Sequence, residues 1–271
     1  MVGQQFLIKR INQLRKADAD VFPRFCIFVG PKGCGKKTLL KEQFPFGVYL
    51  EDNKVETVRK MIEVVYRTYN TVFIMPDADT MSNAAKNALL KVVEECPHDN
   101  YFIMTLEDEN NTLETIRSRA TIFRMGAYKP DDISVYYKNL CKGNVNFEDE
   151  QIVRDVCQTP GEVNLLMKYG IKEFYDYVQL VVDNIAEVTL ANSFKIPSKV
   201  ALKEGDEGYD LALFWKAFIT IVVDRAIVTG EPLDVVKITS ASLQKLRVKG
   251  INRQMLMDCW ILDVRTAWGT I

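Results

Sequence analysis

The run Phe25-Cys-Ile-Phe-Val29, followed by Gly30-Pro31-Lys32-Gly33-Cys34-Gly35-Lys36, constrains this chain more than any other stretch. Five consecutive apolar residues suit a strand covered on both faces. The glycines behind it match the spacing GxxxxGK of a phosphate-binding loop, which turns backbone N–H groups inward and opens a helix. Lys36 is then placed to reach the outer phosphates of a nucleotide. The candidate binding segment is Gly30, Pro31, Lys32, Gly33, Cys34, Gly35, Lys36, Lys37 and Thr38. A glycine-rich turn with chance spacing is the alternative, and the strand before and helix after argue against it.

The motif then departs from its pattern. The residue after Lys36 should carry a hydroxyl for Mg²⁺, but Lys37 stands there and Thr38 comes one place late. An ammonium cannot ligate a metal that demands oxygen donors. On a helix a one-residue shift turns a side chain by about 100°, so Thr38 is a poor substitute. The apolar strand Thr71-Val-Phe-Ile-Met75 should end in Asp-Glu, and it runs instead into Pro76-Asp77-Ala78-Asp79. If Pro76 holds the metal-binding position, no carboxylate is there. If Asp77 holds it, Ala78 replaces the catalytic glutamate. Either register predicts inefficient hydrolysis, because metal and positioning groups supply most of the catalysis in phosphoryl transfer.

Further strands are expected at Val48–Leu50, Val72–Met75, Tyr101–Met104 and Thr121–Phe123. Helical periods lie between them, one through Val55, Val58, Met61, Ile62 and Val65, another capped by Ser82 and running through Leu89 and Val92. Alternation of this kind means a parallel sheet between helices, an α/β domain over 1–127. Beyond Lys129 the chain reads as helices: Pro130–Leu140, Phe147–Cys157 and Gly161–Tyr169 in a lid over 128–170, then Ile171–Val188, Tyr209–Val228, Leu233–Val248 and Asn252–Trp268 in a helical collar over 171–271. Ser193–Asp206, with Pro197 and a KEGDEG cluster, reads as a loop-rich connection. Trp215, Trp260 and Trp268 fall at helical positions where core is the commoner role.

The formal net charge of −1 argues against a free-standing nucleic-acid binder. No apolar run reaches the roughly 18 residues of a membrane span, and the charged N-terminal stretch is no secretory signal. The six cysteines form no C-x-x-C pair and the only histidine is His98, so zinc is not expected and reduced thiols are. No metal ligands are assigned.

The segment Asp79-Thr-Met-Ser-Asn-Ala-Ala-Lys-Asn-Ala-Leu-Leu-Lys91, then Val-Val-Glu-Glu95 and Pro97, resembles the clamp-loader signature of the AAA+ superfamily, ADxMxxxAxNALLKxxEExP. Thr115-Ile-Arg-Ser-Arg119-Ala resembles the family's T-I-x-S-R-C motif, with Ala120 for Cys. The likeness is close over residues 25–125 and extends only in layout beyond them. It is nearest to delta-prime-type subunits of bacterial or phage DNA polymerase clamp loaders, which are related to replication factor C.

The resemblance implies a RecA-like AAA+ sheet with a helical lid, followed by an all-α collar that joins neighbouring subunits. It makes Arg119 an arginine finger offered in trans to a neighbour's ATP; a solvated pair with Arg117 is the competing reading. It implies other clamp-loader subunits in a ring, a sliding clamp and primer-template DNA as partners, no membrane, and a cytoplasmic, replisome-associated setting. ATP or ADP is the implied ligand, bound without hydrolysis, with Mg²⁺ left open. Three family features are missing or altered. The sensor candidates after the Tyr101–Met104 strand are Thr105, Leu106 and Glu107, the lid arginine expected near Gly161-Glu162-Val163 is absent, and so is a four-cysteine zinc module. A self-sufficient AAA+ ATPase, with Thr38 and Asp77 taking over the metal, is the alternative.

Overall fold

The computed structural model describes residues 3–16, 22–195, 198–202, 206–229, 233–246, 248 and 250–269. The chain divides into two compact units, Met1–Asp132 with Thr159–Gly161, and Ile133–Gln158 with Glu162–Ile271. Residues 128–170 are thus shared between the two units.

The first unit runs α1 (Gln5–Lys16), β1 (Phe25–Val29), α2 (Lys36–Gln43), β2 (Val48–Tyr49), α3 (Val55–Val65), β3 (Val72–Met75), α4 (Asn83–Glu95), β4 (Tyr101–Leu106), α5 (Glu114–Arg117) and β5 (Thr121–Arg124). The five strands form one parallel sheet in the order β2-β3-β4-β1-β5. Every residue of β1 is buried, as its unbroken apolar run requires in a sheet with both faces covered. Phe73 and Phe102 stack at 5.8 Å between neighbouring strands, as do Phe28 and Phe123 at 5.0 Å. On one face Val58, Met61 and Val65 of α3 and Ala85, Leu89 and Val92 of α4 close the core. Ser82 caps α4 as expected, its side chain accepting from the Ala85 N–H.

A fully buried amide fixes how β3 and β4 enter the sheet together. Asn100 accepts from the Thr71 N–H at 2.9 Å and donates to the carbonyls of Val65 and Thr68. With its donors and acceptor matched, it holds the connection after α3 against the start of β4. At the carboxyl edge β1 and β4 end level, at Val29 and Leu106, and β3 ends two residues earlier, at Met75; this is the edge where open α/β sheets bind their ligands.

The second unit is built on α6 (Pro130–Leu140), α7 (Phe147–Val156), α8 (Pro160–Tyr169), α9 (Ile171–Asn184), α10 (Leu190–Ser193), α11 (Leu211–Thr229), α12 (Asp234–Lys245) and α13 (Arg253–Ala267). Strands β6 (Val200–Ala201) and β7 (Tyr209–Asp210) pair in parallel, a departure from an all-helical collar. The helix expected from Tyr209 starts at Leu211, because the Asp210 carboxylate accepts from the Leu213 N–H and caps it. Pro197 and Lys203–Gly205 of the expected connection lie outside the described residues.

Trp215 and Trp260 are fully buried beside Phe214 and Phe218, and the Trp260 indole donates to Thr239 Oγ1 at 3.0 Å. Trp268 is half-buried. Arg265 of α13 is also buried, and donates to the carbonyls of Ile185 and Val188 just beyond α9. A guanidinium at that end suits the negative pole of the helix.

Candidate nucleotide site

The loop after β1 has the backbone of a phosphate cradle. Gly33 and Gly35 have φ of 78° and 90°, a left-handed conformation that side chains resist, and Gly35 caps the N-terminus of α2. The Tyr128 hydroxyl donates to the Cys34 carbonyl at 2.8 Å from beneath, and Cys34 Sγ lies 3.9 Å from Met125. Burial pushes the Cys34 thiol up, with the Lys36 charge working against it, so Cys34 is a packing residue here.

Lys36 is buried, and its Nζ donates to the carbonyls of Gly30 at 2.6 Å and Pro31 at 3.1 Å. The ammonium thus sits within the loop, at the end of the cradle where phosphate charge is to be met. The N–H of Gly161 donates to the carbonyl of Gly33 at 3.0 Å. A Cβ on Gly161 would stand 2.5 Å from Gly33 Cα, so this contact is between two bare backbones. Lys32 and Thr38 are exposed.

Lys37 extends to the end of β3, and its Nζ lies 2.5 Å from Asp77 Oδ2. Both side chains are about half exposed. The carboxylate facing the loop is thus that of Asp77, two residues beyond the end of β3. Ala78 is buried in a short 3₁₀ turn and offers no side-chain oxygen.

Asp77 has a left-handed φ of 51°, and three contacts hold it there. Its N–H donates to the buried Thr105 hydroxyl at 2.8 Å, and Asn53 donates to the carbonyls of Pro76 and Asp77. Thr105, one of the sensor candidates, is therefore a positioning residue for this turn. Leu106 is buried, and the Glu107 N–H donates to both Asp79 oxygens, of which Oδ1 also accepts from Asn111. Asp79 is engaged in holding the chain after β4.

A nucleotide's Mg²⁺ takes oxygen ligands in near-octahedral array, from a hydroxyl beside the loop lysine and a carboxylate at the end of the neighbouring strand. Here an ammonium holds the first position and has engaged the second. The residues present do not fit the metal. They do fit phosphate, through the main-chain cradle and Lys36.

Arg119 follows α5 and is exposed. Its NH1 donates to the Thr115 carbonyl at 2.7 Å, and its Nε lies 3.4 Å from Glu94 of α4. Arg117 is half-buried and donates to Asn110 at 3.2 Å. The two arginines therefore have separate partners and do not act as a pair.

The family described as "DNA polymerase III, delta subunit" matches residues 50–129, the part of the first unit from Leu50 through β5. DNA polymerase III subunit gamma of Buchnera aphidicola is 32% identical over 104 residues, covering 36% of this chain and 29% of that protein. DNA polymerase III subunit delta' of Yersinia pestis is 33% identical over 104 residues, covering 33% and 31%. Over this segment the chain is similar to clamp-loader subunits of the polymerase III and replication factor C type. It matches less than a third of the length of either polymerase III relative. The replication factor C small subunit of Halobacterium salinarum is 24% identical over 162 residues, 52% of this chain and 48% of that protein.

Among solved structures, the RuvB branch migration motor of Thermotoga maritima aligns with a TM-score of 0.52 at 15% identity, over 95% of this chain and 88% of that one. That likeness shows the AAA+ fold alone. Among the described residues no helix is long and apolar enough to cross a membrane.

Tyr128, Asn53 and Gly161 escaped sequence reasoning. Tyr128 and Asn53 act through hydrogen bonds to main-chain carbonyls distant in sequence. Gly161 was visible only as part of a segment lacking an arginine.

Proposed function

We propose that this chain is a non-hydrolysing, delta-prime-like subunit of a clamp-loader assembly. It holds a nucleotide without cleaving it and offers Arg119 to the ATP of a neighbouring subunit, in support of loading a sliding clamp on primed DNA. The observation that carries the reading is the Lys37–Asp77 ion pair, which engages the carboxylate a hydrolytic metal needs. Ala78 at the glutamate position is the second defect, since it can neither orient nor deprotonate water.

The Arg119 role is supported by exposure and by identity. A guanidinium is permanently charged and presents a planar fork of donors that suits phosphoryl oxygens. Among the described residues Arg119 is held by a carbonyl and an exposed carboxylate, so it can exchange both for a neighbour's phosphate. The helical second unit is the surface we assign to contacts with related subunits, each of which ordinarily buries more than about 1,000 Å² in total.

The test is a phosphate-release assay on the isolated chain and on the reconstituted assembly. The isolated chain should release no phosphate above background, while Arg119→Ala should depress the assembly's rate. Mg²⁺-dependent turnover by the isolated chain at about 1 s⁻¹ or faster would instead support the self-sufficient ATPase, with Thr38 and Asp77 as metal ligands.

A further inference from the structure

Resting on the nucleotide reading above, we propose that the Lys37 ammonium is a resident cation that takes the place of Mg²⁺, so that this chain binds a nucleoside di- or triphosphate independently of divalent metal.

The geometry supplies both halves of the argument. Lys37 stands in the first turn of α2, directly after the lysine of the cradle, where a metal-binding hydroxyl would otherwise be. Its Nζ lies 2.5 Å from Asp77 Oδ2, which is the contact a metal would make with that carboxylate. An ammonium carries three donors. One is directed at Asp77, and two remain for phosphate oxygens. Half-exposure of both side chains leaves the pair open on the side from which a ligand would arrive.

A divalent ion has little to hold it at the same place. Asp79 accepts from Glu107 and Asn111, Thr105 from the Asp77 N–H, and Ala78 and Pro76 offer no side-chain oxygen. Among the described residues no group of three or more His, Cys, Asp or Glu side chains could hold a metal. Any Mg²⁺ would have to displace the ammonium from Asp77 and then remain beside two lysines, Lys36 and Lys37. Asp77 in turn keeps Lys37 from folding away in the absence of ligand, and its own turn is fixed by Asn53 and Thr105.

The experiment titrates the full chain with a fluorescent ADP analogue, once in Mg²⁺ and once in EDTA. The wild-type chain should give dissociation constants within about twofold of each other in the two buffers. Lys37→Thr restores the hydroxyl while keeping Asp77. It should bind about tenfold more weakly in EDTA, the loss expected for a charge-assisted hydrogen bond, and recover in Mg²⁺. Lys37→Arg keeps the charge and should stay insensitive to metal. A tenfold loss of wild-type affinity in EDTA overturns the proposal by itself, with no variant involved, as does a Lys37→Thr chain indifferent to Mg²⁺. If the folded wild-type chain binds the analogue in neither buffer, the nucleotide reading falls and takes this inference with it. Binding that requires Mg²⁺ overturns only the inference.

Discussion

Arg119 is tethered to Glu94, with Nε 3.4 Å from Oε2, while its NH1 donates to the carbonyl of Thr115 four residues earlier. Both side chains are more than one-third exposed, so the ion pair contributes little to stability, about 0–1 kcal/mol. Glu94→Ala should therefore leave the denaturation midpoint unchanged. Arg119→Ala should leave fold and assembly intact and lower the assembled complex's ATPase. Trans-acting arginines are worth about 10³–10⁵ in the best-studied systems, and one interface among several dilutes that in the whole. Arg117→Ala should be milder, since its half-buried guanidinium is bonded to Asn110. Equal effects of the two substitutions in a steady-state ATPase assay would return Arg119 to the solvated surface.

Hydrolysis should not be restored by either repair alone. Lys37→Thr supplies a hydroxyl but leaves Ala78, and Ala78→Glu places a carboxylate in a buried 3₁₀ turn without a metal to serve. Each single variant of the isolated chain should stay below about 1 s⁻¹ in phosphate release. A single substitution that reached that rate would show the two defects were not independent.

Thr105→Val tests the turn that presents Asp77. The hydroxyl is fully buried and accepts from the Asp77 N–H at 2.8 Å. Removing it leaves that donor without its partner at a cost of about 1–3 kcal/mol. Urea denaturation should show the loss, and ADP affinity should fall with it, because the carboxylate under Lys37 is no longer fixed. An affinity unchanged despite the lost stability would mean the turn does not position the ion pair.

Gly161→Ala should be disruptive although the residue carries no side chain. The new methyl group would stand 2.5 Å from Gly33 Cα and 3.2 Å from its carbonyl oxygen, and both are backbone. Overpacking of this kind typically costs about 1–3 kcal/mol, and here it would push on the loop itself. Thermal unfolding and ADP titration should both register it. A variant as stable as the wild type with full affinity would show that the two backbones separate freely.

Much of the first unit was legible because its signals are local. Phe25–Val29 fixes a buried strand by composition, the glycine spacing fixes the loop, and Ser82 announces α4 three residues before the N–H it caps. The register at Pro76-Asp77 was not legible, since a one-residue slip changes which residue faces the loop and the sequence permits both. The structure adds that Asp77 is the carboxylate that Lys37 reaches. Helix α1 went unread because its charges alternate with its apolar residues, although Leu7 and Ile11 are buried. The β6–β7 pair was missed for another reason, as two residues per strand are too few to carry a period. Thr105 was a sensor candidate by position, and its bond to the Asp77 N–H could not be read from the sequence.

The hydrogen bond from Gly161 to Gly33 joins main chain to main chain. No change of side chain elsewhere in the loop, whether to lysine, cysteine or threonine, removes its donor or its acceptor. The side chains of the loop can therefore change while this seam stays closed. Between the two glycines the chain is tied by atoms that every residue type carries, so the shape of the cradle does not depend on which side chains line it.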